Sequence, residues 1–274
     1  MAPVDRRRDA FAPERLDEIL LTAESAAREA GAVLLEHFGH LDRAQIRSKT
    51  AARDLVTAAD VAAERALVTR LRAAFPDHAI EAEEEVHDAA DDRPRWFLDP
   101  LDGTVNFVHG IPVFSVSVAL YSGTTPLVGV VHAPKLGETF TARAGGGAFV
   151  DGRRVQVSNA TTLQESVLAT GFPYRRNEIP NNNVANFDRL ILEIRGIRRL
   201  GSAAVDLAYV AAGRFDGYWE LHLAPHDLAA GVLLVREAGG VVTDLDGGDD
   251  WLRAGHVVAA GPGVVDAIRA RVRP

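Results

Sequence analysis

The period of the hydrophobic pattern changes twice along this chain, and that alternation limits the fold more than any other feature. Over residues 13–39, Leu16, Ile19, Leu20, Ala23, Ala27, Ala30, Leu34 and Phe38 recur at three- and four-residue spacing, the stripe of an amphipathic helix closed by glycine. A second helix is expected over 58–75. Thr57 stands at its N-cap position, Asp60 completes a capping box with Asp in place of Glu, and Pro76 stops it. The middle then breaks into short β-rich runs at 96–98, 113–121, 127–132, 138–142, 148–150 and 154–157, separated by Gly, Pro and Asp turns. This is a largely antiparallel meander. The glycines at 145–147 read as a hairpin turn rather than a phosphate loop, because no lysine or helix start follows them.

Beyond Val167 strands and helices alternate. Strands are expected near 167–170 and at 215–220, 240–243 and 256–259, with helices near 183–194 and 202–212, at 227–238, and from Val264. With no internal repeat and no Pro- or Ser-rich linker, residues 1–274 read as one mixed α/β domain of stacked helix and sheet layers. The first dozen or so residues are expected to be flexible. No segment approaches the roughly 18 consecutive apolar residues of a membrane span, and no apolar targeting segment opens the chain, so a soluble cytoplasmic protein is expected.

Composition closes several chemical routes. The chain has no cysteine, which removes zinc–thiolate sites, iron–sulfur clusters and thiol nucleophiles. Its formal net charge of −8 argues against direct nucleic-acid binding. Lys49 and Lys135 are the only lysines among 30 basic residues, so each draws notice. Neither follows a glycine as a Walker A lysine must, no G-x-S-x-G elbow surrounds a serine, and H-E-x-x-H is absent.

What remains is carboxylate chemistry. In W-F-L-D-P-L-D-G-T-V-N-F, starting at Trp96, an apolar strand runs into Asp99 and Asp102, with Pro100 fixing the backbone between them and Gly103 permitting a tight turn. Two carboxylates aimed at one point, helped by a backbone carbonyl, suit a hard cation such as Mg²⁺, with Mn²⁺ as the substitute. A short helix opening at Thr104 would place free N–H groups beside that metal for a phosphate. An isolated Asp-Gly would be a plain turn, but two acids with Pro and Gly make that the weaker explanation. The acidic run from Glu81 to Glu85 reads by itself as a solvated loop, and Asp227 by itself as a helix cap.

Taken together these segments resemble the inositol monophosphatase family. W-F-L-D-P-L-D-G-T-V-N-F-V-H from Trp96 is similar to its first signature, and D-L-A-A-G-V-L-L-V-R-E-A-G-G from Asp227 to its second. Asp54 to Asp60, the acidic stretch at Glu83, Gly201 to Leu207 and Asp216 to Glu220 follow in the family's order, so the resemblance covers nearly the whole chain.

The resemblance implies a layered α-β-α-β-α sandwich like that of fructose bisphosphatase, a homodimer, and a phosphatase inhibited by lithium. It implies a first Mg²⁺ on Glu83, Asp99 and the Leu101 carbonyl, a second on Asp99, Asp102 and Asp227, and a third, weaker ion leaning on Glu83. Thr104 and Asp60 match the pair that orients and deprotonates water, so Asp60 has two readings, helix cap and catalyst. Lys49 and Asp54 match a mobile hairpin that closes near the metals. Glu220 and the backbone of Gly201, Ser202 and Ala203 match contacts to the substrate alcohol, and Asp102, Gly103 and Thr104 are further substrate-binding positions that the resemblance implies. The chain departs from the pattern at His226, where most relatives have tryptophan, and at Glu85, where many have serine.

The implied substrate is a small phosphorylated alcohol, first of all an inositol phosphate. Histidinol phosphate, glycerol 2-phosphate, fructose 1,6-bisphosphate and 3′,5′-bisphosphonucleotides are the alternatives. Metal-dependent phosphate transfer to water fits the task, because hydrolysis of phosphate monoesters is among the slowest uncatalysed reactions. A haloacid-dehalogenase-like mechanism needs its aspartates two apart rather than three. A bacterial branch of the family also works in ribosomal RNA transcription complexes, which offers a protein partner as a second role.

Overall fold

The computed structural model describes residues 11–40, 46–48 and 55–273. The expectations for Lys49 and Asp54, and for the first ten residues, fall outside that set. Two helices open the described chain, α1 (Pro13–His37) and α2 (Ala58–Ala74), with the two-stranded antiparallel ladder β1 (Ile46–Ser48) and β2 (Leu55–Thr57) between them. The seven-stranded sheet follows: β3 (Ala79–Ala82), β4 (Arg95–Asp102), β5 (Ser115–Ser122), β6 (Thr125–Ala133), β7 (Glu138–Arg143), β8 (Gly147–Val150) and β9 (Arg153–Val155), in that spatial order, with the short helix α3 (Thr104–Val108) after β4. Only the β3–β4 pairing is parallel, so the expected meander forms, with its hairpin at the triple glycine.

The rest of the chain builds a five-stranded sheet from β10 (Val167–Thr170), β11 (Gly196–Arg198), β12 (Gly217–Glu220), β13 (Val241–Thr243) and β14 (Val257–Ala260), ordered β11-β10-β12-β14-β13. Its helices are α4 (Val184–Ile191), α5 (Ala203–Ala211), α6 (Pro225–Glu237), α7 (Trp251–Ala254) and α8 (Val265–Arg269). The helix expected over 183–194 stops at Ile191, because the chain must turn there to bring β11 alongside β10.

Side-chain alternation along the strands sorts the molecule into layers. On β4, Trp96 and Leu98 pack against α1 and α2, while Phe97 faces the other way toward α5 and α6. On β5, Val116, Val118 and Leu120 take the first face and Ala119 and Tyr121 the second. In the second sheet Tyr218 points to α5 and α6, whereas Trp219 joins Ile268 of α8 on the far side. The order is helix, sheet, helix, sheet, helix. α6 sits in the middle, and residues 228–235 are all buried, as a helix enclosed on both sides must be.

Candidate active site and metal centre

The site starts where β4 loses its regularity. Pro100 has no N–H to give to the ladder, and the pairing with β5 slips between Asp99 and Asp102. On a regular strand residues three apart face opposite sides. Here Asp99, Asp102 and Asp227 each bring an oxygen to within 4.8 Å of the others. Asp99 Oδ1 also accepts the Leu101 N–H at 3.0 Å, which closes the turn around Pro100. Gly103 follows with φ +97°, and a Cβ there would lie 3.1 Å from the carbonyl oxygens of both Gly201 and Val113, so the turn needs glycine twice over.

Glu83 enters from the end of β3, its N–H donating to the Leu98 carbonyl at 3.1 Å. The acidic run behind it is not a free solvated loop. Glu64 on α2, only 1% exposed, accepts the backbone N–H groups of Glu84, Glu85 and Val86 at 2.7, 2.7 and 3.0 Å. Glu85 pairs with Arg65 at 3.5 Å. Asp227 comes from the start of α6, where it accepts the Ala224 N–H at 2.6 Å, so the capping reading of this residue holds alongside its place in the cluster.

Burial first, then the charges of Glu83, Asp102 and Asp227, hold the Asp99 carboxyl far above the ordinary range. Burial and Asp227 push Asp102 up to about 7, against the pull of three hydrogen bonds. Those bonds come from Ser202 Oγ at 2.6 Å and Ala204 N–H at 2.8 Å to Oδ2, and from Ala203 N–H at 3.3 Å to Oδ1. Crowded carboxylates of this kind are relieved by a cation, and an all-oxygen set with the Leu101 carbonyl in the same cleft fits a hard divalent ion. Glu83, Asp99 and Asp227 line that cleft of about 240 Å³ together with Thr104.

Thr104 opens α3 and its hydroxyl lies 3.1 Å from the Leu101 carbonyl and 3.4 Å from Asp60 Oδ1. Asp60 is fully buried and divides its two oxygens. Oδ2 accepts Thr57 N–H at 2.9 Å and Thr57 Oγ at 2.6 Å, completing the capping box, while Oδ1 faces Thr104.

An adjoining cavity holds Glu220 beside Gly201, Ser202 and Ala203. Glu220 accepts the Tyr218 hydroxyl at 2.5 Å, and burial raises its carboxyl to about 7 despite that bond and the nearby charge of Arg199. Sequence reasoning missed several residues here. Tyr174, Arg199 and His222 line the same cavity from separate loops. Asp206, 2% exposed, leaves Oδ1 without a hydrogen-bond partner among the described residues, and burial followed by Glu220 and Asp102 raises its carboxyl strongly. Only its place in G-S-A-A-V-D hinted at it. Nothing in the sequence marked Glu64, whose role exists only once α2 lies against the acidic run.

Residues 15–273 match the family model described as the inositol monophosphatase family. The Nus factor SuhB of Pasteurella multocida is 43% identical over 260 residues, spanning 94% of this chain and 97% of that protein. The inositol-1-monophosphatase of Mesorhizobium japonicum is 42% identical over 249 residues, 90% of this chain and 93% of that one. Among solved structures, the inositol monophosphatase from Anabaena (Nostoc) aligns with a TM-score of 0.86 at 40% identity, over 94% of this chain and 98% of its own.

Proposed function

Because the chain belongs to the inositol monophosphatase family and is a phosphoric monoester hydrolase, we propose that it releases phosphate from small phosphorylated polyols, inositol 1-phosphate first, with Mg²⁺ as its cation. The observation that carries this reading is the convergence of Asp99, Asp102 and Asp227 in one cleft with Glu83, beside the Thr104–Asp60 pair. Bound divalent cations would supply neutralisation of the phosphate, acidification of a water and stabilisation of the departing alkoxide. Glu83, Asp99, Asp102, Asp227 and the Leu101 carbonyl are the groups that would hold them.

The remaining chemistry belongs to the chain itself. Thr104 Oγ orients the attacking water and takes its proton as its own hydroxyl proton passes to Asp60 Oδ1. The water oxygen forms the new bond to phosphorus, the ester P–O bond breaks, and the alcohol leaves with a proton from solvent. Glu220, standing in the adjoining cavity, accepts from a hydroxyl of that alcohol and fixes which face of it enters. The one-domain reading is supported by a ligand set drawn from the residue after β3, from β4 and from α6, with α6 packed between both sheets.

Phosphate release from inositol 1-phosphate, histidinol phosphate, glycerol 2-phosphate, fructose 1,6-bisphosphate and adenosine 3′,5′-bisphosphate, each with and without Mg²⁺, tests the proposal. Full activity after exhaustive chelation would overturn it. The 43% identity to a protein named Nus factor SuhB favours a second role, in a transcription complex. An Asp99→Asn variant separates the two, since it abolishes hydrolysis and leaves a protein-docking role intact.

A further inference from the structure

The carboxylate cluster contains one group of a different chemical kind. His226 occupies the second position of α6, directly before Asp227, and its backbone carbonyl accepts the Ser117 hydroxyl at 3.2 Å, which pins the start of the helix to β5. From there one ring nitrogen lies within 4.8 Å of an oxygen of Glu83 and an oxygen of Asp99. The imidazole Nε2 is 3.9 Å from Asp227 Oδ1, too far for a hydrogen bond, so the ring is not committed to that neighbour. Asp99 therefore stands in two ligand groups at once, one all-oxygen with Asp102 and Asp227, the other mixed with Glu83 and His226.

We propose that His226 is a ligand at the Glu83–Asp99 position and makes that position a nitrogen–oxygen site selective for a borderline transition cation, Zn²⁺ first, over Mg²⁺, with Mn²⁺ serving as its paramagnetic probe. Hard Mg²⁺ gains little from imidazole, whereas Zn²⁺ favours it; Mn²⁺, itself a hard ion and lowest of the first-row series in affinity, still bonds to a nitrogen donor that the site holds in place. The Asp99–Asp102–Asp227 group keeps its oxygen-only character and its match to Mg²⁺. The two positions of one active site thus differ in metal preference, and the difference rests on a single side chain. This inference depends on the metal-dependent reading of the site, and its test distinguishes the two.

The test uses the full chain stripped of metal, loaded with one to three equivalents of Mn²⁺, and read by electron spin-echo envelope modulation, which detects a ¹⁴N nucleus bonded to the ion. The wild type is expected to show ¹⁴N modulation. His226→Gln and His226→Trp abolish it, and His222→Gln, which changes the other histidine facing the cleft, leaves it in place. Calorimetric titration should show Mn²⁺ affinity falling about tenfold or more in His226→Gln, the scale on which even outer-shell changes weaken metal sites, with Mg²⁺ affinity little changed. Mn²⁺ that binds without ¹⁴N modulation at every loading, or modulation that survives both His226 replacements, overturns the role of His226 alone. Failure of the wild type to bind either cation overturns the metal reading of the whole site.

Discussion

Gly171→Ala isolates the role assigned to Glu220. Gly171 follows β10, and the parallel pairing of Thr170 with Trp219 on β12 sets it beside Glu220. A Cβ on Gly171 would lie 2.0 Å from Glu220 Oε2, 2.2 Å from Oε1 and 2.3 Å from Cδ. Ordinary contact begins at 3.4 Å, so the carboxylate must retreat by the difference, about 1.4 Å. Retreat breaks the 2.5 Å bond from Tyr218, a loss of about 1.5–3 kcal/mol for a hydrogen bond to a charged acceptor. Replacing glycine restores about 0.4–1 kcal/mol through the unfolded chain, which leaves a net destabilisation of about 1–2 kcal/mol. The catalytic effect is larger, because a misplacement near 1 Å at a positioning group costs on the order of 10²-fold. Steady-state kinetics on inositol 1-phosphate should show kcat/KM falling by about that factor, while p-nitrophenyl phosphate, with no hydroxyl to meet Glu220, loses far less. A folded variant that keeps full kcat/KM on inositol 1-phosphate refutes the placement of the alcohol beside Glu220.

Ser202→Ala removes both the donor to Asp102 and the acceptor of the Val205 N–H at 3.4 Å, and should lower stability by about 2 kcal/mol or more in urea unfolding; an unchanged midpoint counts against this. Asp60→Asn should cut kcat by about 10²–10⁴-fold, the range for losing a general base, yet cost only about 1 kcal/mol of stability because the amide oxygen still caps α2; equal kinetic constants would remove Asp60 from the chemistry. In the metal-free protein Asp102 and Glu220, both raised to about 7, hold protons that the unfolded chain has already released. Their contribution to stability therefore falls as pH rises from about 4 to about 7, and Asp102→Asn with Glu220→Gln should flatten that slope in thermal melts. Mg²⁺ at a hundred times its Kd should add about 2.7 kcal/mol at pH 7.5 and less at pH 5, and a cation effect independent of pH would argue against carboxylate ligation. Lithium should inhibit turnover as the family resemblance implies, and unaffected initial rates would count against that carry-over.

Much of this was legible where a local rule and the tertiary structure agree. The stripe of α1, the Thr57–Asp60 cap of α2, the meander and the Asp99–Asp102 pair all follow from spacing, turn chemistry and proline. The strand expected to stop at Leu98 runs on to Asp102, because a bulge rather than an end accommodates Pro100. β3, β11 and α7 have three or four residues each, too few to show a period, and they exist through pairing or packing with distant segments. The supports of the site were the least legible. Glu64 holds the Glu83 segment across twenty residues of chain, and Arg199, Asp206 and Tyr174 meet only when α5 and the loop after β10 are in place. Such groups have no spacing rule, since their neighbours are set by the packing of layers.

The three donors on Asp102 have a spectroscopic consequence. Two of them are the amides of Ala203 and Ala204 in the first turn of α5, bonded to the same carboxylate that a cation would draw upon. Electron density pulled toward an ion is withdrawn from those two bonds, so their ¹H and ¹⁵N resonances move together as the site fills. Loading can then be followed residue by residue in a ¹⁵N-labelled sample, with no substrate present and no turnover to interpret.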